Sequence, residues 1–161
     1  MANCRTHKLV GAASGAVYAG YRAKDQSGPN WWSEVAGGAI GGFFGGPLPD
    51  AVEPATSPWH RDLAHSCTAG VTILAMKNTL ESWEAACREN AEKSRAIPMV
   101  PQGAGFVPVP ADPLAQLLSG IVELFWRFLA GFLNGLAAGY VSHLALDAVT
   151  PGSIPLLTTG F

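Results

Sequence analysis

The chain has 161 residues, enough for one domain with or without an insert. Charged residues are 14% of it, against roughly 25% in ordinary soluble domains, and a net charge of −2 with no basic cluster argues against a nucleic-acid partner. A hydrophobic share of 48% with a mean hydropathy of +0.21 excludes a chain built wholly of membrane spans and fits a few short apolar helices joined by polar segments.

Residues 5–23 read as a helix. Thr6 is placed to cap it, and Leu9, Val10, Ala13, Val17 and Tyr21 recur at helical spacing. Gly11, Ala12, Ser14 and Gly15 keep it slim enough for a close neighbour. Arg5 and Lys8 before the apolar run Leu9–Gly20 give the outline of a signal peptide, but His7 at the start of the run favours a retained helix. Residues 24–33, K-D-Q-S-G-P-N-W-W-S, read as a loop. Its Trp31 and Trp32 suit a membrane interface or a partly buried aromatic pair.

Residues 34–46 come next, with glycine pairs 37/38, 41/42 and 45/46 four residues apart. On a helix they form a flat ridge. Each glycine costs about 1 kcal/mol of helix propensity in water, so such a helix needs close packing against neighbours of the small-xxx-small kind. A phosphate-cradling loop is the rival reading, and the missing Lys-Ser/Thr ending and the missing strand before it count against it.

The stretch Pro49–Ser66, P-D-A-V-E-P-A-T-S-P-W-H-R-D-L-A-H-S, gathers Asp50, Glu53, His60, Arg61 and His65. Prolines 47, 49, 54 and 58 place Asp50 and Glu53 on a stiff loop. Ser57-Pro58 then starts a helix that runs to about residue 94. The first half of this helix is apolar. Its second half is a wet face with Glu84/Arg88 and Glu89/Lys93 at i,i+4.

Residues 96–113 hold five prolines and two glycines and read as an extended insert or surface loop. Residues 114–148 are the longest apolar region, either one helix or two divided at Asn134-Gly135. Glu123 and Arg127 are i,i+4 partners there. Phe128–Ser142, at fifteen residues, is short for a span of about twenty. No strand alternation stands out. Cys4, Cys67 and Cys87 are scattered and odd in number, as reduced thiols are.

Near the end, His143 and Asp147 share one helix face at i,i+4. An imidazole and a carboxylate amid apolar neighbours are expensive to bury unless they share a metal or a hydrogen bond. His60 and His65, five apart, lie about 140° apart on a regular helix and cannot both reach one ion from it. Arg61 beside them is either an anion holder or a salt-bridge partner of Asp62 or Glu53.

The order T-H near the start, G-G-x-x-P-x-P-D with a further acid, H-R-x-x-x-H-S, then S-H-x-x-x-D-x-x-T-P-G resembles the predicted membrane-bound metal-dependent hydrolase family. These are small inner-membrane proteins of bacteria, archaea and phages. Four short motifs in order span most of the chain. Glu53 stands one place later than the family's second acid, and Ala64 replaces its usual threonine. The resemblance gives weight to His7 and implies hydrolysis without fixing a substrate.

Residues and resemblance together predict a single all-α domain over 1–161. It has about four helices packed through small residues, a polar helix and a Pro/Gly-rich insert at about 78–113, and an inner-membrane location. The candidate metal ligands are His7, Asp50, Glu53, His60, His65, His143 and Asp147. They suffice for one or two divalent ions, zinc first, with Mn or Fe as alternatives. Arg61 is expected to hold an oxyanion and Glu53 to act as base. The expected partners are the bilayer and a small-molecule or lipid-derived phosphoester or ester. A structural metal site in a non-catalytic protein is the rival reading.

Overall fold

Helix α1 spans Cys4–Arg22, α2 spans Gly28–Gly45 and the short α3 spans Leu48–Val52. Helix α4 covers Lys77–Arg95, an antiparallel hairpin pairs β1 (Met99–Gln102) with β2 (Gly105–Pro108), and α5 covers Pro113–Ala148. The structure, a computed structural model, describes residues 4–52, 71–73, 75, 77–95, 99–102, 105–108 and 112–149. Among these the architecture is all-α apart from the hairpin.

The first helix has the expected length but the opposite orientation. Its buried residues are His7, Gly11, Gly15 and Ala19. Leu9, Val17 and Tyr21 point outward, at 58%, 74% and 66% exposure. The larger apolar side chains thus face away from the bundle, because the inner side must admit another backbone. Thr6 lies inside the helix and is not its cap.

The expected loop at 24–33 is shorter than predicted. Gly28 takes a left-handed φ of +59°, and Pro29 sits in the first turn of α2, where a missing N–H leaves no hydrogen bond broken. Trp31 and Trp32 therefore stand on the helix. The Trp31 indole N–H donates to the Gly20 carbonyl at 3.2 Å, while Trp32 is exposed. Asp50 also lies on a helix, α3, since Pro49 falls within its first turn.

Helix α2 is wedged between α1 and α5, and its glycines form two edges rather than one ridge. A Cβ at Gly37, Gly41 or Gly45 would overlap the carbonyl oxygen of Phe128, Phe132 or Leu136 on α5. A Cβ at Gly38, Gly42 or Gly46 would overlap the carbonyl oxygen of Gly15, Gly11 or His7 on α1. Gly131, Gly135 and Gly139 on α5 meet the carbonyls of Glu34, Gly38 and Gly42 in the same way. Close backbone approach replaces large interlocking side chains as the source of packing contact.

Helix α5 runs without a break through Asn134-Gly135. Its 36 residues give a length of about 54 Å. By length and composition it is a candidate membrane-crossing helix. The stretch expected to be an extended insert contains the hairpin, with Met99 opposite Pro108 and Gln102 opposite Gly105.

An ionic cluster joins the helices at the end of the bundle where α1 finishes and α2 starts. Glu34 is fully buried and bonded by Arg88 at 2.6 Å, with Arg127 at 3.4 Å. Glu84, also buried, takes Arg88 at 2.9 Å and Arg22 at 2.7 Å. The Glu84/Arg88 and Glu89/Lys93 pairs form as expected, but α4 is not simply a wet face: Glu84, Cys87 and Ala91 are buried against the bundle. Arg127 does not pair with Glu123. Glu123 accepts from Asn30 at 2.7 Å, whereas Arg127 reaches Glu34 and, at 3.9 Å, Glu92.

Candidate metal centre

At the other end of the bundle α1 starts, α2 finishes and α5 nears its last turn. Helix α1 runs antiparallel to α5, so His7 in its first turns comes level with His143 and Asp147. Gly46, just past the end of α2, lets its own backbone and that of His7 come together. The three side chains are buried, at 2%, 0% and 3% exposure.

The His7 and His143 rings stack with centroids 3.7 Å apart and planes inclined by 23°. His7 Nε2 lies 3.5 Å from Asp147 Oδ1, and His143 Nε2 lies 3.5 Å from Asp147 Oδ2. The i,i+4 reading of His143 and Asp147 holds in space. On α3, Asp50 brings Oδ1 to 3.7 Å from His143 Nε2, with its side chain 44% exposed. Asp50 is thus the half-open member of an otherwise closed group.

The Gly46 carbonyl contacts His143 Nδ1. A carbonyl only accepts, so Nδ1 carries a proton and donates; in a neutral ring the lone pair is then on Nε2, which faces the carboxylates. This is how metal-binding histidines are oriented. Distances of 3.5 and 3.7 Å exceed a hydrogen bond, which ends near 3.2 Å. They approach the roughly 3.4 Å ligand-to-ligand edge of a tetrahedron with metal bonds of about 2.1 Å. His7 Nδ1 is buried without a hydrogen-bond partner among the described residues. His7, His143 and Asp147 each offer a ligand atom within 4.8 Å of the others, so the group can hold a metal ion.

Four of the seven predicted ligands therefore come together: His7, His143 and Asp147, with Asp50 beside them. Glu53, His60, Arg61 and His65 lie outside the described residues. The Gly46 carbonyl is an orienting group that sequence reasoning misses, because a backbone acceptor has no signature in residue type. Comparison with protein-family models, curated proteins and solved structures gives no match.

Proposed function

We propose that His7, His143 and Asp147, with Asp50 at the open side, bind a divalent cation, zinc first, and that the chain is a metal-dependent hydrolase at a membrane. The observation that carries this reading is the His143 ring, held through Nδ1 by Gly46 with Nε2 turned to two carboxylates beyond hydrogen-bond reach. A divalent ion at such a donor set supplies Lewis acidity and lowers the pKa of water toward neutrality.

The chain's own residues supply the rest. His7 and His143 orient the donor set, and Asp147 bridges them with one oxygen toward each ring. Asp50, on the solvent side, marks where a phosphoester or ester approaches. Arg61 as oxyanion holder and Glu53 as base complete the reading from the sequence. The outward apolar side chains of α1, α2 and α5 and the length of α5 support the bilayer as partner, and the family resemblance implies the inner membrane as location.

The near-complete burial of three ligands favours a second reading, a structural metal that fastens α1 to α5. Purified protein should contain stoichiometric metal on either reading. Hydrolysis of bis-p-nitrophenyl phosphate or a p-nitrophenyl ester, lost on chelation and restored by zinc, supports the enzyme. Bound metal with no turnover of either ester, and a bundle that melts on chelation, leaves the structural role.

A further inference from the structure

A groove of about 950 Å³ runs between α1, α5 and the start of α4. On α5 most of its lining, including Asn134, Ala138, Val141 and Ala145, faces away from His143, although Ser142 and Leu146 stand next to His143 and Asp147 in the chain. Asn134 and His143 are nine residues apart, about half a turn around the helix by the 3.6-residue period. The groove and the centre are therefore separate sites, and a ligand in the groove does not depend on hydrolysis at the centre.

The groove has two unlike ends. Gly15 packs on Gly135 and His7 meets Asp147, so the antiparallel α1 brings Tyr18 and Tyr21 to the Asn134 end. Lys77 and Glu81 of α4 line that same end, since Glu81 is bonded by Arg22 just beyond Tyr21. Toward Leu146 the lining becomes Val10, Ala137, Val141 and Ala145. From Asn134 to Leu146 the helix rises about 18 Å.

The polar end carries charge to spare. Glu81 is taken by Arg22 at 2.8 Å, whereas Lys77 stands 3.7 Å from it with its side chain 63% exposed. Asn134 is only 8% exposed, and its Nδ2 is buried with no hydrogen-bond partner among the described residues. Asn134 lines the groove with its amide nitrogen turned in and covered, a costly placement that is relieved if the side chain turns Nδ2 outward to an acceptor in the groove. A cation at the mouth, an amide donor beneath it and a long apolar trough beyond call for an amphiphile with one anionic, hydrogen-bond-accepting head.

We propose that this groove binds one long-chain fatty acid. Its carboxylate is held between Lys77 and Asn134, and its hydrocarbon tail lies along α5 toward Leu146 and Val10.

The test uses the full-length protein and palmitate carrying a mid-chain diazirine. Photolabelling should saturate, map to peptides containing Tyr18–Tyr21 and Ala137–Leu146, and be displaced by unlabelled palmitate. Lys77→Ala and Asn134→Leu should each weaken palmitate binding about tenfold, the usual worth of a hydrogen bond to a charged group. Lys77→Ala should leave binding of the uncharged methyl ester unchanged. Ala138→Phe should fill the trough and remove the labelling. If that variant loses its helical circular dichroism, Ala145→Phe serves instead. Labelling that does not saturate, or that spreads over the exposed Leu9, Ile40 and Phe43, overturns the proposal. Displacement by phosphatidylglycerol as effective as by palmitate also overturns it, in favour of a phospholipid site.

Discussion

His7 and His143 come from opposite ends of the chain, yet their imidazoles stack 3.7 Å apart beside the shared carboxylate of Asp147. Each of the three side chains offers a ligand atom that one cation can share. Replacing His7 or His143 by alanine, or Asp147 by asparagine, is expected to lower bound metal at least about tenfold. Glu89→Ala, on the exposed face of α4, should leave it unchanged. The check is metal per mole of purified variant, with helical circular dichroism as the control for folding. Full metal retention in His143→Ala alongside its loss in His7→Ala would sink the shared site.

Two glycines should respond oppositely to the same substitution. Gly42→Ala drives a Cβ into the Gly11 carbonyl, a backbone atom that cannot step aside, and should cost about 1–3 kcal/mol. Gly120 in α5 has nothing within 4 Å of the position a Cβ would take. Gly120→Ala should stabilise by about 0.5–1 kcal/mol through helix propensity. Thermal or denaturant unfolding of both variants in one detergent decides the signs.

Glu34→Gln should be among the most damaging single-atom changes in the protein. It leaves Arg127, 4% exposed, and Arg88 without their shared counter-charge. Breaking a buried pair from one side costs about 3–5 kcal/mol. The solvent-exposed pair Glu89–Lys93 is the control, and Glu89→Gln should not shift the unfolding midpoint measurably.

Cys87 and Cys4 should differ in thiol chemistry. Burial, and then the Glu84 carboxylate, push the Cys87 thiol above its ordinary pKa, whereas Cys4 is exposed. The thiolate is the reactive form, so maleimide should modify Cys4 first and reach Cys87 at a useful rate only above the ordinary thiol range. A native pKa above the unfolded one means that the fold keeps this proton where the unfolded chain has begun to release it. That contribution is present below the ordinary thiol pKa and is lost as pH rises through the raised one. Cysteine-resolved mass spectrometry across about pH 7–10 measures the order. Equal rates at neutral pH would contradict the buried placement of Cys87.

The protein should sediment with membranes and resist a carbonate wash. Val17, Tyr21, Ile40, Phe44, Leu117 and Phe125 all project from α1, α2 and α5 into the surroundings. Such an exterior in water is an aggregation surface. Monodisperse protein recovered without detergent would show that another surface covers it.

Local spacing makes part of this legible in the sequence. The i,i+4 placement of His143 and Asp147 needs only a helix, and the four-residue glycine period needs only close neighbours. The inward face of α1 is misleading because hydrophobicity points to Leu9 and Val17, while the packing is made by Gly11 and Gly15. Glu34 gives no sign of its role, since Arg88 and Arg127 are remote in sequence and meet it only once the helices assemble. In the hairpin, Pro101 and Pro108 mask the alternation that marks a strand. Gly46 contributes a carbonyl, which every residue has.

The even spacing of the α2 glycines has a further effect on how the bundle is indexed. Gly37, Gly41 and Gly45 seat on Phe128, Phe132 and Leu136, each series stepping by four. A slide of one step, about 6 Å, would put two of the three glycines back into equivalent seats. The contact face alone is therefore a ratchet with several nearly equal notches. The groups that select one notch are polar and sit at the two ends: Glu34 against Arg127 at one, and the Gly46 carbonyl against His143 at the other. The Gly46–His143 contact that orients the candidate metal centre thus also helps to set the register of the helix beside it.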